Sequence, residues 1–190
     1  MPILGIWSSA QQRGVLPVDV YESIATSTGN GSASSFTFSS IPSTYQHLQI
    51  RLIARGVRSF SSEQLYVRLN GDTGSNYAYH SLIGNGSGTE TSGTASSNVM
   101  FLTEFPAANE TANIFSTSVI DILDTNNANK NTTVRSLSGY DNNGNTGNYT
   151  SRIWLGSGLW MNTSAVTSVT VLSNGAFANN TTVALYGIKA

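Results

Sequence analysis

Short runs of apolar and polar residues alternate with period two, separated by Asn-Gly pairs, and this pattern leaves little room for anything but β-structure. Leu48, Ile50 and Leu52 alternate with Gln49, Arg51 and Ile53; Leu65, Val67 and Leu69 alternate with Tyr66, Arg68 and Asn70. Ile114, Ser116, Ser118, Ile120 and Ile122 share one face of a long strand, and Phe115, Thr117, Val119 and Asp121 share the other. Successive side chains of a strand point to opposite faces, so one face meets a core and the other meets solvent or a neighbour. Further strands are predicted at 22–28, 34–38, 77–83, 98–104, 132–138, 152–155, 168–172 and 182–188.

The gaps are turn text. Asn30-Gly31, Asn70-Gly71, Asn85-Gly86, Asn143-Gly144 and Asn174-Gly175 each join a residue that tolerates positive φ to one that prefers it. Asn70-Gly71 reads as a hairpin turn, and the Gly/Ser-rich runs 84–97 and 141–150 read as exposed loops. No window of helical length carries a 3.6-residue apolar stripe, so helix is limited to single turns near 107–112 or 162–165. Many short strands without helices imply an all-β, antiparallel β-sandwich, jelly-roll-like. Residues 21–190 read as one sandwich domain. Residues 1–20, with Pro2, Pro17 and a polar stretch at 8–14, read as an extended N-terminal arm that docks on a neighbour.

Charged residues make up 10% of the chain, against about 25% in soluble domains. The polar surface is therefore mainly Ser, Thr, Asn and Gly, which desolvates cheaply against another subunit. The net charge of −1 is spread without a basic cluster, which argues against nucleic acid as a partner. No cysteine is present, so disulfides and zinc–sulfur sites are excluded. No stretch is long enough to cross a bilayer as a helix, and the apolar opening 2–7 lacks the basic flank of a signal peptide. We therefore expect no membrane insertion and no export signal.

Residues suited to catalysis are sparse. The two histidines are His47, read as a cap at the start of a strand, and His80, and no Gly-x-Ser-x-Gly elbow accompanies them. Asp72-Thr73-Gly74 matches the aspartic-protease tripeptide but follows a turn instead of a hydrophobic strand. Glu104, Asp121 and Asp124 are the carboxylates nearest apolar strands, and salt links to Arg135 or Arg51 account for them more simply than a glycosidase pair. Asp141, Asn143 and Asn145 have the 1, 3, 5 spacing of a calcium loop, but Thr146 and Arg152 stand where Gly and Glu are needed. We assign no catalytic, cofactor-binding or metal-binding residue and expect no enzyme. Aromatics carry more: Tyr77, Tyr79, Tyr149, Trp154 and Trp160 lie in or beside loop-rich segments. With Ile3 and Trp7 of the arm they are candidate interface or glycan contacts, and core packing is the plainer role for each aromatic taken singly.

Several blocks of text carry a resemblance: Pro2-Ile3-Leu4-Gly5-Ile6-Trp7, Tyr21-Glu22-Ser23-Ile24-Ala25-Thr26, the run from Ile41-Pro42-Ser43-Thr44-Tyr45 through Arg51, 70–77, Val119-Ile120-Asp121-Ile122-Leu123-Asp124, 158–164 and Ala184-Leu185-Tyr186-Gly187-Ile188-Lys189. In order and wording these resemble a family of small virion structural proteins of tailed bacteriophages, notably phages of aquatic bacteria. The resemblance implies a β-sandwich particle component and names no catalytic residue. It implies a homo-oligomer such as a trimer, contacts with other virion proteins such as the major capsid or tail proteins, and assembly in the host cytoplasm followed by release on lysis. A capsid decoration (cement) role is favoured over a tail or tail-fibre role, because no repetitive or coiled-coil shaft is present. The alternative is a tail component that binds a receptor or a host surface glycan.

Overall fold

The computed structural model describes residues 20–142 and 151–189. Ile3, Trp7, Tyr149 and the expected arm up to residue 19 lie outside the described residues. Twelve strands form two antiparallel sheets: β1 (Tyr21–Thr28), β2 (Ser35–Phe38), β3 (His47–Ala54), β4 (Ser62–Leu69), β5 (Tyr77–Gly84), β6 (Thr89–Ser97), β7 (Met100–Pro106), β8 (Ser116–Leu123), β9 (Thr132–Tyr140), β10 (Arg152–Trp160), β11 (Val169–Ser173) and β12 (Thr182–Ile188). The large sheet runs β1-β12-β3-β8-β9-β10-β5-β6 and the small sheet β2-β11-β4-β7. No helix occurs among the described residues.

The pairing is nested. β1 lies against β12, β2 against β11, β3 against β8 and β4 against β7. This is a long hairpin rolled onto itself, the jelly-roll arrangement of a β-sandwich. Two insertions interrupt the roll, β5–β6 between β4 and β7, and β9–β10 between β8 and β11. They join through the β10–β5 ladder and continue the large sheet beyond β8.

The core follows from the alternation. Leu48, Ile50, Leu52 and Ala54 of β3 face Leu65, Val67 and Leu69 of β4 across the sandwich, all buried. Phe36, Phe177 and Phe105 fill one end, with ring centroids 5.0 and 5.5 Å apart. Burying such side chains contributes about 1.5–3 kcal/mol each.

Over the inserted strands the inner face changes character. The inward residues of β5, β8, β9 and β10 include Ser81, Ser118, Ser136, Ser138, Gly156 and Gly158. Strand β7 lies directly beneath them. Ser136 Oγ donates to the Leu102 carbonyl at 2.9 Å, and Ser138 Oγ donates to Thr103 Oγ1 at 2.6 Å. A Cβ on Gly156 would stand 2.3 Å from Ser136 Oγ and 2.9 Å from the Leu102 carbonyl oxygen; one on Gly158 would stand 2.7 Å from Met100 Sδ. The sheets approach this closely only because the side chains between them are small.

The inserted strands also reach past β7 to the far side of the small sheet. Phe101 packs against Trp154 at 5.1 Å and Tyr79 at 5.8 Å, with Ile83 alongside. Arg152 Nη1 donates to Glu104 at 2.8 Å. The edge of β7 is thereby covered, which removes a site for stray strand pairing.

Three sequence expectations need correction. The run 84–97 is not an open loop: Thr89–Ser97 pairs with β5 as strand β6. Asn70-Gly71 makes a tight turn with both residues at positive φ, but it connects β4 of one sheet to β5 of the other instead of closing a hairpin. The single helical turns allowed at 107–112 and 162–165 are turns and bends.

Gly156→Ala is expected to destabilise the chain by about 1–3 kcal/mol, since the methyl meets the backbone of β7. Ser157→Ala, one residue along on the opposite face, should stay within about 0.5 kcal/mol. Urea unfolding of the two variants measures the contrast, and equal midpoints would contradict the close approach.

Candidate functional site

The outward residues of the inserted strands invert the usual pattern. Val119 stands opposite Leu137 on the β8–β9 ladder, Leu137 opposite Leu155 on β9–β10, and Leu155 opposite Leu82 on β10–β5. The four form one unbroken aliphatic row across four strands. They keep 40%, 58%, 48% and 49% of their surface exposed, and Ile153 in the next row keeps 66%. Directly opposed side chains on one face lie within about 4.5–5.5 Å of each other at Cβ, so the row is continuous apolar surface. Behind it lie Ser136, Gly156 and Ser81. At Ser136 and Gly156 the close approach to β7 leaves room only for small side chains inside, while Leu82, Val119, Leu137 and Leu155 lie outside.

The rows flanking this strip are close to neutral. On one side Asp121 stands opposite Arg135, followed by Ser157 and His80. On the other side lie Thr117, Gly139, Ile153 and Gly84. Beyond β3 the same face ends in polar aromatics. Tyr21 and Tyr186 stack at 5.0 Å, and the Arg51 guanidinium sits 5.3 Å from each ring. Such a cation–π contact contributes about 0.5–1 kcal/mol at an exposed site.

The aromatic candidates lie mostly inside the fold. Tyr77 and Trp160 are fully buried and stacked 6.5 Å apart, and Trp154 is buried against Phe101. Tyr79 is half-buried in the same cluster. These four therefore offer no exposed platform for a sugar or a partner. Each falls on an inward position of β5 or β10, where its ring fills space left by the small residues around it. Burial pushes the Tyr77 phenol up to about 12.

The polar candidates are structural. His47 Nδ1 accepts from the Asp124 amide at 2.9 Å, a cap at the start of β3, while His80 lies on the outer face of β5. Asp72 of the Asp-Thr-Gly tripeptide accepts from Trp160 Nε1 at 2.8 Å, Asn76 Nδ2 at 2.9 Å and the Gly74 amide at 2.8 Å. These bonds, Trp160 first, hold its carboxyl below the usual carboxylate range. Glu104 is bound by Arg152 and Ser62, Asp121 by Gln49, and Asp124 by Lys130, so the expected links to Arg135 or Arg51 are replaced by other partners. Asp141 accepts from Ser151 Oγ at 3.3 Å, and Asn143 and Asn145 lie outside the described residues. No group of three His, Cys, Asp or Glu arranged to hold a metal occurs among the described residues. A polar hollow of about 490 Å³ is an open dish of Ser43, Thr44, Gln46, Asn126 and Asn129 around Asp124.

No protein-family model matches the chain, and no curated protein matches it. Among solved structures, a xylan β-1,4-xylosidase from Bacillus halodurans aligns at 12% identity and TM-score 0.32, over 78% of this chain. This chain spans 28% of the length of that enzyme. The CBM2 module of the evolved Dit protein of Lactobacillus casei phage J-1 aligns at 13% identity and TM-score 0.26, over 88% of this chain and 77% of the module. Arcelin-5, a lectin-like defense protein of Phaseolus vulgaris, aligns at 8% identity and TM-score 0.19, over 91% and 95%.

The Asp72 network makes a pH prediction. A carboxyl held below its unfolded value stabilises the fold above that unfolded value, and the contribution is lost as pH falls through the folded one. Asp72→Asn should therefore lower the melting temperature at neutral pH, and the gap from wild type should narrow under acid conditions. Thermal melts across that range test it, and a gap that widens in acid would contradict it.

Proposed function

We propose that this chain is a non-enzymatic structural protein of a tailed-phage particle, carried on the particle surface, with capsid decoration as its role. The observation that carries the reading is the outward aliphatic row on a sheet of low charge. A protein that works alone in solution gains nothing from a continuous strip of exposed leucines, whereas a subunit that tiles against neighbours uses it. The jelly roll supports the same reading, because its covered β7 edge and short turns make a rigid block suited to repetition. Many weak, identical contacts add up to a stiff array. The blocks of sequence that resemble small virion proteins of tailed phages are the ground for the particle context.

The carboxylates fit this reading. Glu104, Asp121, Asp124 and Asp72 each serve a named structural partner. Of the aromatics on which the tail alternative with a glycan-binding role relies, Tyr77, Tyr79, Trp154 and Trp160 pack inside the fold, and Tyr149 lies outside the described residues.

Cryo-electron microscopy of the particle that carries this chain is expected to resolve jelly-roll density in many copies on the outer shell. Density confined to the tail would contradict decoration. Absence of the chain from purified particles by mass spectrometry would contradict the structural-protein reading as a whole.

A further inference from the structure

We infer that the outer face of the large sheet is the contact between two copies of this chain, related by a two-fold axis that runs parallel to the strands midway between β9 and β10. The inference deepens the structural-protein reading and rests on it for the purpose of the contact, while the contact itself is a property of the purified protein.

The symmetry follows from which residues such an axis brings face to face. Rotation about it keeps every row at its own height and exchanges β9 with β10 and β8 with β5. In the aliphatic row Leu137 then meets Leu155 of the second copy, and Val119 meets Leu82. In the row on one side Asp121 meets His80, and Arg135 meets Ser157, so no like charges are opposed. In the row on the other side Ile153, the most exposed large apolar residue among the described residues, meets Gly139, which has no side chain to obstruct it. Apolar meets apolar, a carboxylate meets an imidazole, and bulk meets a gap. An axis turned perpendicular to the strands would instead set Asp121 against Thr117 and Arg135 against Gly139, giving neither charge an ionisable partner across the contact.

The area is sufficient. Strands lie about 4.8 Å apart and rise about 3.3 Å per residue, so the six strands from β3 to β6, each about eight residues long, make a face of about 750 Å². Two copies would bury about 1,500 Å², within the range of stable interfaces. Two sheets packed face to face lie about 10 Å apart, which the leucines fill from both sides. The net charge of −1 per copy opposes pairing very little.

The absence of cysteine makes the geometry directly testable. Asp121 and His80 of one copy are separated by β9 and β10, but across the inferred axis they face each other about 10 Å apart, beyond a disulfide and within reach of a short bis-maleimide. Wild-type protein is expected to sediment as a dimer in the micromolar range, and Leu137→Glu/Leu155→Glu to sediment as a monomer with the same far-ultraviolet circular dichroism. With a short bis-maleimide crosslinker Asp121→Cys/His80→Cys should form a covalent dimer, and either single variant alone should not. A wild-type monomer, or a dimer that survives Leu137→Glu/Leu155→Glu, overturns the inference. If the glutamate variant fails to fold, the cysteine variant decides: no covalent dimer from a folded, dimeric protein overturns the axis. These outcomes are independent of particle imaging, so a dimer that is absent from particles would count against the function and leave the contact standing.

Discussion

The close approach of β10 to β7 governs much of what is unusual about this chain. It favours hydrogen atoms at positions 156 and 158, where a Cβ would stand 2.9 Å from the Leu102 carbonyl oxygen and 2.7 Å from Met100 Sδ, and hydroxyls at 136 and 138, which bond to β7. Hydrogen bonds from Ser136 and Ser138 then replace the apolar contact that normally binds two sheets. Each such bond contributes about 0.5–1.5 kcal/mol net, and the buried partner atoms would be costly to leave unpaired. The arrangement is therefore specific more than it is strong.

This constraint links fold to function. A strand has two faces, and where the inner one carries Ser81, Ser136 and Gly156, their sequence neighbours Leu82, Leu137 and Leu155 lie on the outer one. Leu82, Val119, Leu137 and Leu155 occupy that outer face. An isolated protein would suffer aggregation from such a strip, and the neutral flanking rows give it a defined partner surface instead. The eight core strands of the jelly roll make the block rigid, the inserted strands widen one sheet, and the widened sheet presents the proposed contact. The same insertions cover the β7 edge, so the proposed association uses a face and not that edge.

Much of the fold was legible in the sequence, and the reasons it stopped being legible are physical. Alternation located β3, β4, β8 and β12 because each concentrates its buried apolar residues on one face, such as Leu48, Ile50 and Leu52 of β3 and Ile120 and Ile122 of β8. Strand β6, Thr89–Ser97, has no apolar face and reads as loop; pairing with β5 is what makes it a strand. Asn70-Gly71 announced a tight turn, but a local signal says nothing about which sheet the chain enters next. The buried positions of Tyr77, Trp154 and Trp160 were hidden for the related reason that alternation identifies two faces without saying which is inward. The same ambiguity concealed the aliphatic row: Leu137 between serines and Leu155 beside Gly156 look like ordinary core-facing residues until the register is known. No segment of the sequence states that four such residues from four strands line up.

The most direct measurement is hydroxyl-radical footprinting of the wild-type chain, read by mass spectrometry at Leu82, Leu137, Ile153 and Leu155, in dilute solution and in the assembled particle. These side chains should be oxidised readily when copies are dispersed and be protected together when they assemble, while exposed Phe60, away from the contact, reacts equally in both states. Equal oxidation of the leucines in both states would mean that the strip stays open to water, and the account of this chain as a subunit built around that face would fail.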